Sequence, residues 1–241
     1  MVACPMLSYG IDKACDLLAK DIKVSARGVK FLINVEGMQY EMRLGIPGRF
    51  SVYNALAATG AALQLGFNLE EIIKGLIIAK GVKGRAEVVP INQGYTVLID
   101  YAHTPDGLVN IISTVKEFAQ GRVITLFGCG GDRDKTKRPI MGKVAGELSD
   151  FCIITSDNPR SEEPYTIIKD IVQGIEQTDC RYEVIENRRQ AIKYALENAA
   201  EGDVVILAGK GHETYQILAD ETIYFDERAI AMGIIEEKLR G

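Results

Sequence analysis

Two patterns of hydrophobic and polar positions divide the chain. Residues 21–48 alternate apolar and polar side chains, as short half-buried antiparallel strands do, and glycines mark the turns between them. Two helical stretches follow; they begin at the N-cap candidates Ser51 and Asn68 and end at Gly66 and Gly81. The first third of the chain is therefore predicted to form strands followed by two helices.

From Arg85 onward, apolar runs alternate with amphipathic stretches. The runs predicted to contain strands include TVLI, RVITLFGCG, FCIIT, RYEVIE and DVVILAG, and stretches with helical periodicity lie between them. This alternation is typical of an α/β domain with a mostly parallel, Rossmann-like sheet. The segment GVKGR at 81–85 has the glycines and the lysine of a linker, so we expect a hinge near Gly81–Gly84 and two domains, 1–83 and 84–241.

Composition and charge exclude several classes of protein. The net charge is −5 and acids and bases are interspersed, so there is no basic stripe for nucleic acid. The chain has no apolar run of about 20 residues and does not begin with a basic segment before an apolar one, so we expect a soluble, cytoplasmic protein without a membrane partner. Five cysteines without a CxxC pair suit reduced, structural thiols (Cys4, Cys15, Cys129, Cys152 and Cys180).

Four polar clusters follow predicted strands directly. They are DYAHTPD at 100–106, GCGGDRDKTKRP at 128–139, DNPR at 157–160 and GKGHE at 209–213. Each alone could be a mere connection, because loops are rich in Gly, Asp, Asn and Pro. In open α/β sheets, however, ligands bind outside the carboxyl ends of the strands. Four such clusters on one predicted edge therefore indicate a binding site.

The charged residues of these clusters suit a zwitterionic ligand. Arg133 and Arg160 offer planar forks for a carboxylate or a phosphate, and Asp157 and Glu213 can accept hydrogen bonds from an ammonium group.

Structural alternatives remain open for the same residues. Arg160 could pair with Glu162 or Glu163, and Asp157 could cap the following helix. Lys210 could bind a phosphate or be solvated.

Other chemistries find little support in the sequence. His103 and His212 have no GxSxG nucleophile elbow beside them, which disfavours a hydrolase, and no HExxH motif or cysteine cluster indicates a protein-held metal. The phosphate-binding pattern GxxxxGK[ST] and the pattern GxGxxG do not occur in these 241 residues. If the protein binds ATP, we expect the main phosphate-binding residues to lie elsewhere. We expect Mg²⁺ to bind together with the nucleotide.

The strings GRFSVYNALAATGAAL, GVKGRAEVV, IDYAHTPDGL, FGCGGDRDKTKRPIMG, TSDNPRSEEP and LAGKGHETYQ, in this order, resemble the Mur ligase family. The resemblance covers nearly the whole chain. It implies ATP-dependent amide ligation through an acyl phosphate. Within the family, the DNPR signature is similar to that of the members that add meso-diaminopimelate to UDP-N-acetylmuramoyl-L-alanyl-D-glutamate, a peptidoglycan precursor. The resemblance therefore implies specificity for meso-diaminopimelate.

The resemblance also implies roles for individual residues. Seven would line the amino-acid pocket: Arg133, Asp157, Asn158, Pro159, Arg160, Gly209 and Glu213. Four would touch ATP: Asn54, Arg85, Asp100 and His103. Arg160 would hold the distal carboxylate of diaminopimelate. No catalytic residue and no metal ligand is assigned.

The family's phosphate-binding loop, magnesium ligands and modified lysine do not occur in these residues. The resemblance thus implies that 1–83 is the tail of the central ATP-binding domain and 84–241 the C-terminal domain, and that this chain alone is inactive. A stand-alone binding module for diaminopimelate or cell-wall peptides is the alternative. An unrelated nucleotide-binding α/β protein is a third, weaker one.

Overall fold

The chain forms two compact units, Met1–Gly81 and Val82–Gly241. They are seen in a computed structural model that describes residues 6–35, 37–79 and 81–240. Cys4, one of the five cysteines expected to be structural, lies outside the described residues. The other four cysteines are free thiols, and two of them, Cys129 and Cys152, are buried.

The first unit is a four-stranded sheet with two helices. Its strands are β1 (Tyr9–Gly10), β2 (Leu17–Ser25), β3 (Gly28–Val35) and β4 (Met38–Leu44), and its helices are α1 (Arg49–Gln64) and α2 (Leu69–Ile78). The predicted antiparallel pairing is confirmed for β2, β3 and β4. The short β1 pairs with β2 in parallel, which the alternation did not predict.

The two helix starts differ in how well the sequence predicted them. Asn68 is confirmed as the N-cap of α2: its side chain accepts the Glu71 backbone N–H at 2.9 Å in a capping box. Ser51 was the wrong choice for α1, which begins after Gly48. Ser51 lies inside the first turn, where its hydroxyl donates to the Pro47 carbonyl at 2.9 Å, so its side chain is already used within the helix.

The second unit contains a six-stranded sheet. The elements are β5 (Glu87–Val88), β6 (Thr96–Asp100), α3 (Pro105–Lys116), β7 (Val123–Phe127), α4 (Lys137–Leu148), β8 (Phe151–Ile154), α5 (Pro164–Ile175), β9 (Arg181–Val184), α6 (Arg188–Asn198), β10 (Val204–Ala208) and α7 (Glu227–Arg240). The strand order is β5-β6-β10-β7-β8-β9, and all pairs are parallel except β5 with β6. The predicted mostly parallel α/β fold is confirmed.

Two further strands, β11 (Tyr215–Ile217) and β12 (Thr222–Tyr224), form a separate antiparallel pair. The sequence analysis predicted no strand in this segment. Each strand has only three residues, too few for a two-residue period to stand out.

Helices cover both faces of the large sheet. In β10, Val204, Ile206 and Ala208 pack in the cluster that holds the apolar faces of α3, α4 and α5. Val205 and Leu207 pack in the cluster that holds α6 and α7. Both sets are buried because a central parallel strand is enclosed on its two faces, and each large aliphatic side chain contributes roughly 1.5–3 kcal/mol by burial.

The strand order decides which loops meet. Because β10 lies between β6 and β7, the carboxyl ends of β6, β10, β7 and β8 are side by side. All four strands run in the same direction, so the loops that follow them leave the sheet at one edge. Within the part of the chain that the structure describes, no helix is long and apolar enough to cross a bilayer.

Candidate functional site

A cavity of about 290 Å³ lies at this edge of the sheet. It is lined by residues from all four loops that the sequence analysis singled out: Tyr101, His103, Thr104, Gly128, Cys129, Gly130, Arg133, Lys137, Asp157, Asn158, Arg160, Gly209 and Glu213. Six of the seven residues expected to bind an amino acid are among them. The exception, Pro159, is buried and its carbonyl accepts the Glu162 backbone N–H at 3.1 Å.

A larger cavity of about 730 Å³ lies at the opposite edge, where β7, β8 and β9 begin. Arg122, Asp150, Cys180 and Arg181 are among its lining residues. None of the four polar loops contributes to it. The smaller cavity is therefore the candidate site, because the four polar loops at the carboxyl ends of the strands converge there.

Arg160 is held in an unusual backbone conformation at the cavity wall. Its φ is 55°, in the left-handed region that residues other than glycine rarely adopt. Its Nη1 donates to the carbonyl oxygens of Gly131, at 2.8 Å, and Asn158, at 3.3 Å. Such strained residues persist only where the surrounding structure holds them, and they cluster at functional sites.

The alternative pairing of Arg160 with Glu162 or Glu163 does not occur. Glu162 is paired with Arg138, and Glu163 accepts the Thr166 backbone N–H at the start of α5. Among the described residues, no carboxylate forms an ion pair with Arg160. Its positive charge therefore remains available to a ligand carboxylate.

Asp157 lies deep in the site and does not cap a helix. The N-cap of α5 is Glu163, so that alternative is also wrong for Asp157. The side chain of Asp157 lies 4.0 Å from Nη1 of the buried Arg188. Gly209 packs directly against it: at a φ of 113°, a Cβ on Gly209 would lie 2.7 Å from Oδ2 of Asp157. Glycine is required there both by the backbone conformation and by this close approach.

Asn158, Lys210 and Glu213 form one hydrogen-bonded cluster. The Lys210 ammonium donates to Oδ1 of Asn158 at 3.0 Å and to Oε2 of Glu213 at 3.2 Å, and Nδ2 of Asn158 donates to the same Oε2 at 2.9 Å. Lys210 is fully buried, and burial lowers its pKa. Lys210 is thus neither solvated nor a phosphate ligand, contrary to both readings of the sequence.

Three of the residues expected to contact ATP, Arg85, Asp100 and His103, lie near Tyr101 at the end of β6. His103 lines the cavity, and its Nδ1 lies 2.8 Å from the Tyr101 carbonyl oxygen. Because a carbonyl only accepts, Nδ1 donates in this contact, which fixes the orientation of the ring. Asp100 ends β6 and accepts the Ala86 backbone N–H at 2.8 Å, and burial raises its pKa.

Arg85 and Asn54 complete the expected nucleotide contacts. The exposed Arg85 guanidinium lies 5.0 Å from the centre of the Tyr101 ring, within the range of a cation–π contact. Asn54 belongs to the first unit, where it is exposed on α1.

Two family models match this sequence. The model described as "Mur ligase, glutamate ligase domain" covers residues 84–211, and the model described as "Mur ligase middle domain" covers residues 2–62. The chain belongs to the Mur ligase family.

Two relatives of this Mur ligase chain have the same description. It is 55% identical, over 232 residues, to the UDP-N-acetylmuramoyl-L-alanyl-D-glutamate--2,6-diaminopimelate ligase of Caldanaerobacter subterraneus subsp. tengcongensis. It is 52% identical, over 233 residues, to the ligase of the same description from Clostridium botulinum. Each alignment covers 96% of this chain and 48% of the relative, so the chain spans about half the length of the relatives it matches.

Solved structures agree with this family membership. A structure described as a UDP-N-acetylmuramoyl-L-alanyl-D-glutamate--2,6-diaminopimelate ligase has a TM-score of 0.76 and 35% identity, covering 97% of this chain and 48% of that one. The structure of the UDP-N-acetylmuramate-alanine ligase of Thermotoga maritima has a TM-score of 0.69 and 21% identity, covering 97% of this chain and 48% of that one. At this identity, the match shows only that the two chains share a fold.

In this Mur ligase chain a buried ion-pair network that the sequence analysis missed holds two of the loops together. Arg138 is fully buried, and its guanidinium donates to Glu162 at 2.8 and 3.1 Å and to Asp170 at 2.9 Å. Glu162 also accepts the Asp132 backbone N–H at 2.6 Å, and Arg138 lowers the pKa of Glu162 to about 2. The loop after β7 is thereby tied to the loop that carries Arg160.

Lys137 and Tyr101 were also missed. Lys137 lines the cavity and donates to the His103 carbonyl at 2.8 Å, which ties the loop after β7 to the loop after β6. The Tyr101 ring lies 4.7 Å from the His103 ring and also lines the cavity. Both lie inside loops that the sequence pointed to, but nothing in their spacing distinguished them from solvated neighbours.

Proposed function

We propose that this chain is the amino-acid-binding portion of an ATP-dependent ligase that adds meso-diaminopimelate to UDP-N-acetylmuramoyl-L-alanyl-D-glutamate in peptidoglycan precursor synthesis. Residues 1–83 would be the tail of the central domain and residues 84–241 the C-terminal domain. The descriptions of the relatives at 52–55% identity support this reading. The signature DNPR at 157–160 supports it as well.

The observation that carries the proposal is the state of Arg160. It lines the cavity, its backbone is held at a φ of 55°, and carbonyl oxygens rather than carboxylates accept from its Nη1. A guanidinium positioned in this way binds a carboxylate through two parallel hydrogen bonds. Diaminopimelate differs from lysine by one such carboxylate, so Arg160 is the residue that distinguishes them.

The other charged groups of the cavity suit the remainder of the ligand. Glu213 and Asp157 line one part of the wall and can accept from an ammonium group, while Arg133 and Lys137 add positive charge for a second carboxylate. A diaminopimelate carries two ammonium and two carboxylate groups. The cavity thus offers charges of both signs to a ligand that carries both.

The residues near β6 carry side-chain groups of the kinds that bind nucleotides. Arg85 is an exposed cation suited to a phosphate, Asp100 has a carboxylate that can accept from a hydroxyl, and His103 has a ring oriented by its Nδ1 contact with the Tyr101 carbonyl. These three residues would contribute to holding ATP, and Asn54, on the first unit, is a further residue that the family resemblance assigns to ATP. ATP would supply the phosphoryl group that activates the substrate carboxylate for attack by the amine of the amino acid, with release of ADP and phosphate.

A cluster of metal-binding side chains for magnesium does not occur among the described residues. They contain no group of three or more His, Cys, Asp and Glu side chains arranged to hold a metal ion. The residues of the cavity would act by binding and orienting the amino acid.

The test is calorimetric titration of the 241-residue chain with meso-diaminopimelate and with L-lysine. Charge-assisted pairs are worth ~1.5–3 kcal/mol, so Arg160→Ala should weaken diaminopimelate binding roughly ten- to a hundredfold and leave lysine binding weak. Arg160→Lys should restore it only in part, because an ammonium lacks the planar fork. Arg189→Ala, at an exposed position on α6, is the control. Unchanged diaminopimelate affinity in Arg160→Ala would refute the assignment.

A further inference from the structure

Lys210 is the one fully buried lysine side chain in the part of the chain that the structure describes, yet it does not line the cavity. Its ammonium group contacts two side chains that do, Asn158 at 3.0 Å and Glu213 at 3.2 Å. On the other side, the rings of Tyr215 and Phe225 lie 5.7 and 5.9 Å from its Nζ. The Lys210 ammonium group is thus buried behind the side chains that line the cavity.

Stability alone does not account for this arrangement. Removing an ammonium from water is costly, and buried ion pairs are often replaced by apolar side chains without loss of stability. An apolar residue of similar length would fill the same space between the two rings. The retained charge therefore points to a role in the site.

The hydrogen bonds of Glu213 show what that role is. Both Lys210 and Nδ2 of Asn158 donate to the same atom, Oε2. Among the described residues, Oε1 of Glu213 has no hydrogen-bond partner, and Glu213 lines the cavity. Two donors on one oxygen fix the orientation of the carboxylate and leave the other oxygen for a ligand.

We propose that Lys210 is a positioning residue: it holds Glu213 as a carboxylate in a fixed orientation, so that Oε1 can accept from an ammonium group of the amino-acid ligand. This inference rests on the proposed function. It assigns recognition of the ligand's ammonium end to a buried cation behind the site, separately from recognition of the distal carboxylate by Arg160. Lys210 itself would not touch the ligand.

Other charged groups surround this cluster and must be considered in any pH dependence. They come from five further elements: Tyr101 after β6, Asp157 after β8, Arg188 on α6, Glu227 on α7 and Tyr215 on β11. Arg188 is paired with Glu227 at 2.8 Å and lies 4.0 Å from Asp157. Because Asp157 and Glu227 also interact with the Lys210 charge, a change in pH dependence is assigned to Glu213 only together with the double-mutant cycle described below.

The first measurement compares Lys210→Met with the wild type in diaminopimelate titrations at pH 7.5 and 5.5. A carboxylate that loses a neighbouring cation is protonated more readily. We expect about tenfold weaker binding at pH 7.5 and a further loss of several-fold at pH 5.5, where the wild type changes less than about twofold. Lys210→Arg, which keeps the charge, should fall between them. Lys193→Met, at an exposed position on α6, is the matched control.

A double-mutant cycle with Glu213→Gln separates positioning from a general structural role. If Lys210 acts through Glu213, Lys210→Met/Glu213→Gln should bind no more than about twofold more weakly than Glu213→Gln alone. Additive losses, or a Lys210→Met pH profile parallel to that of the wild type, would overturn the inference and leave the proposed function standing.

Two further outcomes also decide the matter. If neither Lys210→Met nor Lys210→Gln retains the wild-type far-UV spectrum and thermal transition, Lys210 is a structural residue and the inference fails. If the wild type binds no diaminopimelate, the proposed function fails first and the inference with it.

Discussion

The Arg138–Glu162 pair predicts a pH-dependent contribution to the stability of the second unit. Replacing Glu162 by Gln removes a carboxylate that accepts from Arg138 at 2.8 and 3.1 Å and from the Asp132 backbone N–H at 2.6 Å. It also leaves the buried Arg138 with Asp170, at 2.9 Å, as its remaining carboxylate partner. We therefore expect Glu162→Gln to destabilise the unit at neutral pH.

The magnitude follows from the pKa of Glu162. It is lowered from 4.5 to about 2, chiefly by the hydrogen bonds from Arg138. A difference of that size corresponds to about 3.4 kcal/mol as an upper limit. Glu162 lies near the surface with 13% of its side chain exposed, and solvent screening should reduce the effect to ~1.5–2 kcal/mol.

The sign of the pH dependence is fixed by the direction of the shift. Because the folded-state pKa of Glu162 is depressed, the stabilisation is fully present above the unfolded value of 4.5 and is lost as pH falls toward about 2. At pH 3, less than about half should remain. The difference between the wild type and Glu162→Gln should shrink accordingly.

The assay is equilibrium urea unfolding at pH 7 and pH 3, read by a brief deuterium pulse and mass spectrometry of peptides from β7 and β8. These central strands report the second unit separately from the first. Glu197→Gln, whose carboxylate is 49% exposed and 3.7 Å from Lys193, is the control and should change stability by less than ~0.5 kcal/mol. A Glu162→Gln effect below ~0.5 kcal/mol at pH 7, or one that is equal at both pH values, would refute this reasoning.

Three other predictions follow from single contacts. Gly209→Ala should cost about 1–3 kcal/mol in the same unfolding assay, because a Cβ would meet Oδ2 of Asp157 at 2.7 Å with φ at 113°; no loss would show that the loop relaxes freely. Burial raises the pKa of Cys129 to about 12, so iodoacetamide at pH 8 should leave Cys129 unmodified in the native chain and label it in urea, as peptide mass spectrometry can check. Asn68→Ala should destabilise α2 by about 1 kcal/mol through loss of the hydrogen bond to the Glu71 N–H, measured as faster hydrogen exchange in 69–78.

Local patterns in the sequence determined the elements and the edge of the sheet where the site lies. Alternation predicted the antiparallel strands of the first unit, and the N-cap candidate Asn68 marked the start of α2, because both depend on residues close together in the chain. Apolar runs separated by helical stretches predicted a mostly parallel sheet. The rule that ligands bind at the carboxyl ends of such strands then selected the four polar loops.

The tertiary structure alone decided which side chains meet and how each is used. The strand order places β10 between β6 and β7, so the loop carrying Lys210 and Glu213 packs against Asn158, more than fifty residues earlier. Arg138 pairs with Glu162, which lies 24 residues later in the chain. A lysine in a glycine-rich loop has the same local sequence whether it is solvated or buried. Only the packing of distant segments determines its burial and its partners, because these depend on contacts that no local pattern encodes.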